Sequence, residues 1–290
     1  MERIERRLVE SFGCRLTAIS GYSAYCNGKR PSPRKLEDLR LTVKIKAAHE
    51  RGRRIYGASN IQSELAAQGV AVGINRINRI KRLRKMANIK CVHKRKFKVT
   101  TDSKHKLPIA PNLLNRHFNQ PAPNQVLVAD ITYIPSDEGW LYLAAVKDLH
   151  TCEIVGWAMT ERMTKSLVCD ALRAAYWRKK PAAGLMHHSD RGIQYCSKAY
   201  RTLQASYKMR TSMSRKGDYW NNAPMESFFG TLKTECLHHY QFKTRDEAKR
   251  MTFEYIEVFY NRIRRHAKLK NQIPAEFAKT YMQNTEKNAA

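Results

Sequence analysis

Three carboxylates sit where an acid is costly or available for special use. Asp130 interrupts the apolar run VLVADITYI, Asp190 closes HHSD just before Gly192, and Glu226 follows Pro224 in NNAPMESFFGTLK. An acid inside an apolar run is unfavourable unless something pairs with it. Three converging acids repel one another unless cations stand between them. All-oxygen ligation of this kind suits Mg²⁺, with Mn²⁺ as a substitute. Two such ions about 4 Å apart can clamp a phosphoryl group during in-line displacement. Each acid alone has a plainer role open to it. Asp130 could pair with a nearby Arg, Asp190 could form a turn with Gly192, and Glu226 could complement a helix dipole. The case for a metal centre rests on the three occurring together. Lys233, seven residues beyond Glu226 and so on the same helical face, is placed to hold a DNA phosphate near the metals.

The elements that must position these acids follow from periodicity. VLVADITYIP, WLYLAAVKDL and CEIVGWAMTE read as three strands of an antiparallel meander, with a turn at Ser136–Gly139. TKSLVCDALRAAYWRKK is helical, with Leu167, Cys169, Leu172, Ala175 and Tyr176 along one stripe. GLMHHSD is a short strand, SKAYRTLQASY a helix and KMRTSM another short strand. The Glu226 helix starts at an Asn221 or Asn222 cap with Pro224 in its first turn. Met225, Phe228, Phe229, Leu232 and Cys236 then anchor it to the core. The order βββαβαβα implies a mixed sheet flanked by helices, an α/β domain. The tail carries one long helix ending near Asn261, followed by a basic turn.

The formal net charge of +29 over 290 residues points to a partner rich in phosphate. A ribosomal or RNA-binding protein would match the charge but would leave the three acids unexplained. The surplus is concentrated before residue 118. There, KLEDLRLTVKIKAAHERG, with a Leu36, Leu39, Val43 and Ala47 face, precedes ASNIQSELAAQG and then a basic helix, VGINRINRIKRLRKMANI. Ile74, Ile77 and Ile80 mark the inner face of that helix, and Arg76, Arg79, Arg82 and Lys85 its basic face. A short helix, a Gly turn and a basic helix give a helix-turn-helix-like order suited to DNA. Residues 91–122 read as a basic, Pro-rich linker. No run of 18 apolar residues and no signal-like N-terminus are present, so a cytoplasmic, nucleoid-associated protein is expected. The seven cysteines lack CxxC pairing and are expected as buried thiols in a reducing compartment.

The spacing of the acids, with 35 residues between Asp190 and Glu226, resembles the D, D-35-E pattern of integrases and transposases with a ribonuclease H-like core. The surrounding words VLVADITYIPSDEGWLYLAAVKDLHTCEIVGWAM, HHSDRGIQYCS and GDYWNNAPMESFFGTLKTE are similar to the second-reading-frame transposases of copy-out, paste-in insertion sequences. YNRIRRHAKLKNQIPAEF resembles the C-terminal end of that family. The resemblance covers roughly residues 35–280. It implies a ribonuclease H-like five-stranded mixed sheet with flanking helices, preceded by an all-α helix-turn-helix-like DNA-binding region.

Position by position, Asp130, Asp190 and Glu226 match the catalytic, metal-binding acids of that family, and Lys233 its basic contact to the DNA end. Asn222 is expected as a further DNA contact. Many relatives carry D-N-A where this chain has Asn221, Asn222 and Ala223. His187 and His188 are expected to support the second acid from behind or to pack, rather than to ligate metal. The resemblance implies 3′-end cleavage and strand transfer on double-stranded DNA with two Mg²⁺ ions. It also implies a homo-oligomer of at least two chains, an upstream-frame protein or fusion, and no membrane.

The implied organisation is a helical segment 1–35, a helix-turn-helix-like domain 36–90, a linker 91–122, a catalytic core 123–240 and a helical tail 241–290. A metal-dependent nuclease or junction resolvase of the same fold, and a DNA-binding remnant without catalysis, are the competing readings.

Overall fold

The computed structural model describes residues 32–73, 75–77, 107–215 and 219–289. Two compact units emerge, Met1–Val92 and His93–Ala290.

In the first unit Ser32 caps helix α1 (Pro33–Arg51), its hydroxyl accepting from Lys35 N at 3.4 Å. Gly52 ends the helix and gives way to the Tyr56 ring, which a Cβ there would strike. Helix α2 (Ala58–Ala67) follows and ends before Gly69, whose φ is +75°. Its start lies one or two residues before the expected Ser59 or Asn60 cap, and no side chain caps it.

The buried face of α1 differs from the one expected. Leu41, Ile45 and Ala48 form a core with Tyr56, Ile61 and Leu65, whereas Leu36 and Val43 are each 39 % exposed. Both stripes satisfy the helical period. The one bearing Ile45 is the one that packs with Tyr56 and α2. Three helical residues, 75–77, begin the expected basic helix, with Ile77 fully buried.

In the second unit strands β1 (Val126–Ser136), β2 (Gly139–Asp148) and β3 (Ile154–Thr160) form the expected antiparallel meander. Ser136 Oγ donates to Gly139 O across the first turn. Helix α3 (Lys165–Lys179) then lies on β3 at Gly156, where a side chain would collide with the backbone of Ala171 and Ala175. Strand β4 (Met186–Ser189) is followed by a short helix α4 (Ile193–Cys196), helix α5 (Lys198–Ser206) and strand β5 (Arg210–Met213). The five strands run in the order β3-β2-β1-β4-β5, with β4 and β5 parallel to β1. A core of Leu127, Val146, Val155, Leu172, Tyr200 and their neighbours joins the sheet to α3, α4 and α5.

Helix α6 (Ala223–Glu235) buries Met225, Phe228, Phe229 and Leu232, each contributing about 1.5–3 kcal/mol. Helix α7 (Arg245–Phe253) runs into a wider helical stretch, Glu254–Tyr260, and helix α8 (Pro274–Ala289) closes the chain.

Two expectations about organisation change. Residues 107–122 do not behave as a linker: Leu113 and Leu114 N–H donate to Ser212 Oγ, and Met213 N–H donates to Pro111 O. The segment thereby covers the edge strand β5, whose backbone would otherwise lack partners. The tail is likewise part of the same unit. Asn261 exchanges two hydrogen bonds with the Ile154 backbone, Arg264 forks onto Glu235 at 2.8 and 2.7 Å, and Lys268 Nζ donates to Phe118 O and Leu149 O. Helix α8, which follows the expected basic turn within the helical tail, was not marked as a separate helix. Pro274 at its start and Glu276 in its first turn are its sequence signals.

Candidate active site

Asp130 and Asp190 stand side by side because of strand register. Val128 of β1 pairs with His188 of β4 in parallel, and each acid lies two residues beyond its partner. Strand ends at the centre of an α/β sheet, where chain order reverses, are where such folds place ligands. Asp130 Oδ1 accepts from Ile131 N–H at 2.8 Å, and Asp190 Oδ1 from Gly192 N–H at 2.9 Å. The turn foreseen between Asp190 and Gly192 is therefore present. Arg191 Nε donates to Ser214 O at 2.6 Å and fixes the loop after β4.

Glu226 lies in the first turn of α6. Two bonds hold that turn to the sheet: Asn222 Nδ2 donates to Ala129 O, and Lys147 Nζ to Pro224 O, each at 3.3 Å. Ala129 is the residue before Asp130, so the helix carrying the third acid is tied to the strand carrying the first.

Burial pushes the Asp130 carboxyl well above its usual range. The charge of Asp190 and, more weakly, Glu226 push it the same way, while the Ile131 N–H and Lys233 oppose them. Burial also raises Glu226. The charges of Asp190 and Glu226 thus both act on Asp130. An open pocket of about 220 Å³ is lined by Asp130, Asp190, Thr132, Tyr133, Tyr142 and Tyr195 among others, with Glu226 outside that lining. No three His, Cys, Asp or Glu side chains of the described residues stand close enough to share a metal ion as they are. Asp130 and Asp190 each direct one oxygen onto the backbone N–H of a following residue, Ile131 and Gly192. The donor set itself, hard carboxylate oxygens from adjoining elements whose charges bear on Asp130, fits a hard divalent cation.

Lys233 lies with Nζ 4.7 Å from the centre of the Tyr133 ring, a cation–π contact. Burial lowers its pKa and Asp130 raises it, which places its charge near the first acid.

Other expected residues divide. Asn222 is 5 % exposed, and its amide nitrogen donates to β1; it neither caps α6 through its side chain nor presents itself to DNA. Arg76 pairs with Glu37 at 2.7 Å and with Asp38 at 3.5 Å. Arg79, Arg82 and Lys85 lie outside the described residues. His187 and His188 are fully buried. His187 meets Tyr200 OH and Gln204 Nε2, and His188 meets Ser212 and Ser214. Burial holds both neutral, lowering His187 to about 3 and His188 to about 4, as packing roles require. Cys152, Cys169, Cys196 and Cys236 are buried and outside any disulfide.

Two residues were not anticipated. Lys147 is a 4 % exposed cation in the apolar run LAAVKD, the same signal that marked Asp130. Tyr195 carried no signal, since IQYC is too short to show a period and holds no charge. No helix among the described residues is long and apolar enough to cross a membrane.

Comparison with known proteins agrees with this architecture. Residues 120–218 match a family model described as "Integrase core domain", residues 226–282 match a second model of the same description, and residues 35–97 match an "HTH-like domain". Asp130 and Asp190 fall in the first core model, and Glu226 opens the second. The uncharacterized 31 kDa protein of insertion element IS600 from Shigella sonnei is 54 % identical over 264 residues, covering 91 % of this chain and 96 % of that protein. The InsF transposase of insertion sequence IS3A from Escherichia coli K12 is 39 % identical over 267 residues, covering 91 % and 92 %. Among solved structures, the HTLV-2 integrase catalytic core domain in complex with magnesium (dimeric form) aligns at TM-score 0.42 and 13 % identity, over 55 % of this chain and 98 % of that one.

Proposed function

The chain belongs to the IS3 family of insertion-sequence transposases, polynucleotidyl transferases built on an integrase core, and on that premise we propose that Asp130, Asp190 and Glu226 are its catalytic acids and hold two divalent cations. The observation that carries the reading is the 128↔188 register, which sets Asp130 beside Asp190, together with the Asn222–Ala129 bond that brings the Glu226 helix to the same strand. Mg²⁺ is the cation of choice and Mn²⁺ its substitute. When bound, such ions polarise a phosphodiester and ease deprotonation of the attacking oxygen.

The reaction is two in-line displacements. Water attacks phosphorus at the element end and the P–O3′ bond breaks. The departing oxygen takes up a proton to become a 3′-OH, leaving a 5′-phosphate on the flanking DNA. That 3′-OH then attacks a target phosphorus and displaces the target's own O3′. Asp130, Asp190 and Glu226 supply negative oxygen ligands for both steps. Lys233, held over Tyr133, contributes a cation near Asp130 for a phosphate of the DNA end.

The helix-turn-helix-like unit, with Arg76, Arg79, Arg82 and Lys85, supplies contacts to the phosphate backbone that fix position rather than read sequence. Bringing two ends together calls for at least two chains. The active form includes an upstream-frame protein or fusion, and it works at the nucleoid in the cytoplasm.

Strand transfer with a pre-cleaved element end tests the reading. Joined product in Mg²⁺ is expected; cutting without joining would identify a nuclease, and binding alone a non-catalytic remnant.

A further inference from the structure

Tyr195 is 1 % exposed, and its hydroxyl has no hydrogen-bond partner among the described residues. A buried hydroxyl left unmatched costs about 1–3 kcal/mol, so such a group calls for a reason. Its place is well defined. Tyr195 belongs to the short helix that starts directly after Gly192, whose N–H donates to Asp190. The ring meets the Tyr200 ring edge to face, with centroids 5.3 Å apart and planes at 80°, and Tyr200 OH is in turn bonded to His187 Nε2 at 3.0 Å. The phenol is therefore braced from behind by β4 and α5. Its other side lines the pocket that Asp130 and Asp190 line. Burial keeps the hydroxyl protonated, and the charges of both aspartates act on it. A donor without an acceptor thus lines the same pocket as two carboxylates, each of which accepts from a nearby backbone N–H.

We infer that the Tyr195 hydroxyl is the donor that orients the Asp130–Asp190 carboxylate pair for a divalent cation. The inference rests on those two acids being metal ligands. Tyr195 is a positioning residue: it would act through the ligands rather than on the ion or the DNA. Hydrogen bonds of this kind fix which oxygen a carboxylate offers and keep it ionised, and their loss typically weakens metal binding.

Tyr195→Phe removes one oxygen and keeps the ring packing. The full chain and this variant are titrated with Mn²⁺ by calorimetry, and their Tm values are compared in chelator. The expected result is an Mn²⁺ Kd weakened on the order of tenfold, with Tm unchanged or slightly raised. Where strand transfer is measured, the half-saturating Mg²⁺ concentration rises by a similar factor. An unchanged Kd overturns the inference. So does a Tm that falls while metal affinity is kept, since that pattern means a packing role alone. A wild-type chain that binds no Mn²⁺ overturns the metal-site reading, and this inference with it. A wild type that binds and a variant that binds equally well overturn only the role of Tyr195.

Discussion

Asn222 and Ala129, 93 positions apart, are joined by one hydrogen bond of 3.3 Å from the Asn222 amide to the Ala129 carbonyl. Because Ala129 precedes Asp130 and Asn222 precedes the first turn of α6, this bond fixes where Glu226 stands relative to the first strand. Asn222→Ala removes it and leaves a small void. Strand transfer is expected to fall at least about tenfold, with a stability loss of about 1 kcal/mol, while affinity for element-end DNA is kept. Activity assays and urea unfolding measure the two effects. Loss of DNA affinity with chemistry preserved would return Asn222 to the DNA-contact role expected from its sequence position.

Lys147 anchors the same turn from the other side. A buried ammonium is costly, and replacing it by an apolar side chain of similar length can be neutral or stabilising. Lys147→Met is therefore expected to keep or raise the Tm while lowering strand transfer, because α6 loses its tie at Pro224. A purely structural lysine would show the reverse, with Tm and activity falling together.

The buried histidines set a pH dependence. His187 is neutral in the folded chain, with its pKa lowered from the ordinary histidine value of 6.5 to about 3, by burial first and then by His188. The unfolded chain therefore binds the proton more readily. The stability this contributes is complete above about pH 6.5 and is lost as the pH falls toward 3. At pH 5 the loss from this one group amounts to about 2 kcal/mol. Thermal unfolding of the wild type should weaken from pH 7.5 to pH 5 by more than that of His187→Gln. Equal pH slopes in the two proteins would remove His187 as the cause.

Lys233 sits against Tyr133 with its charge near Asp130. Lys233→Ala is expected to weaken binding of a pre-cleaved element end by severalfold and to reduce the salt dependence of that binding by about one phosphate contact. An unchanged salt slope, measured by titrating end binding between low and moderate salt, would separate the lysine from the DNA.

Much of the catalytic unit was legible because strands alternate and helices repeat. The runs VLVADITYIP, WLYLAAVKDL and CEIVGWAMTE each became one strand of the meander. Asp130 stood out as a charge in an apolar run. What stayed hidden depends on tertiary partners. Helix α1 carried two stripes of equal period, and only the position of Tyr56 and α2 decides between them. Residues 107–122 look polar and irregular, yet they cover β5 through Ser212, a contact made across about a hundred residues. Tyr195 has no periodic or charge signature at all, and its place beside the acids comes from β4 register and the turn at Gly192.

The measurement nearest the centre of this account is joining of a pre-cleaved element end in Mg²⁺ by wild type, Asp130→Asn, Asp190→Asn and Glu226→Gln, with end-DNA affinity measured alongside. Each variant is predicted to join at least about a thousandfold more slowly, the several kcal/mol that metal polarisation contributes, while binding DNA as the wild type does. Joining at the wild-type rate by any one of the three would contradict the shared metal site.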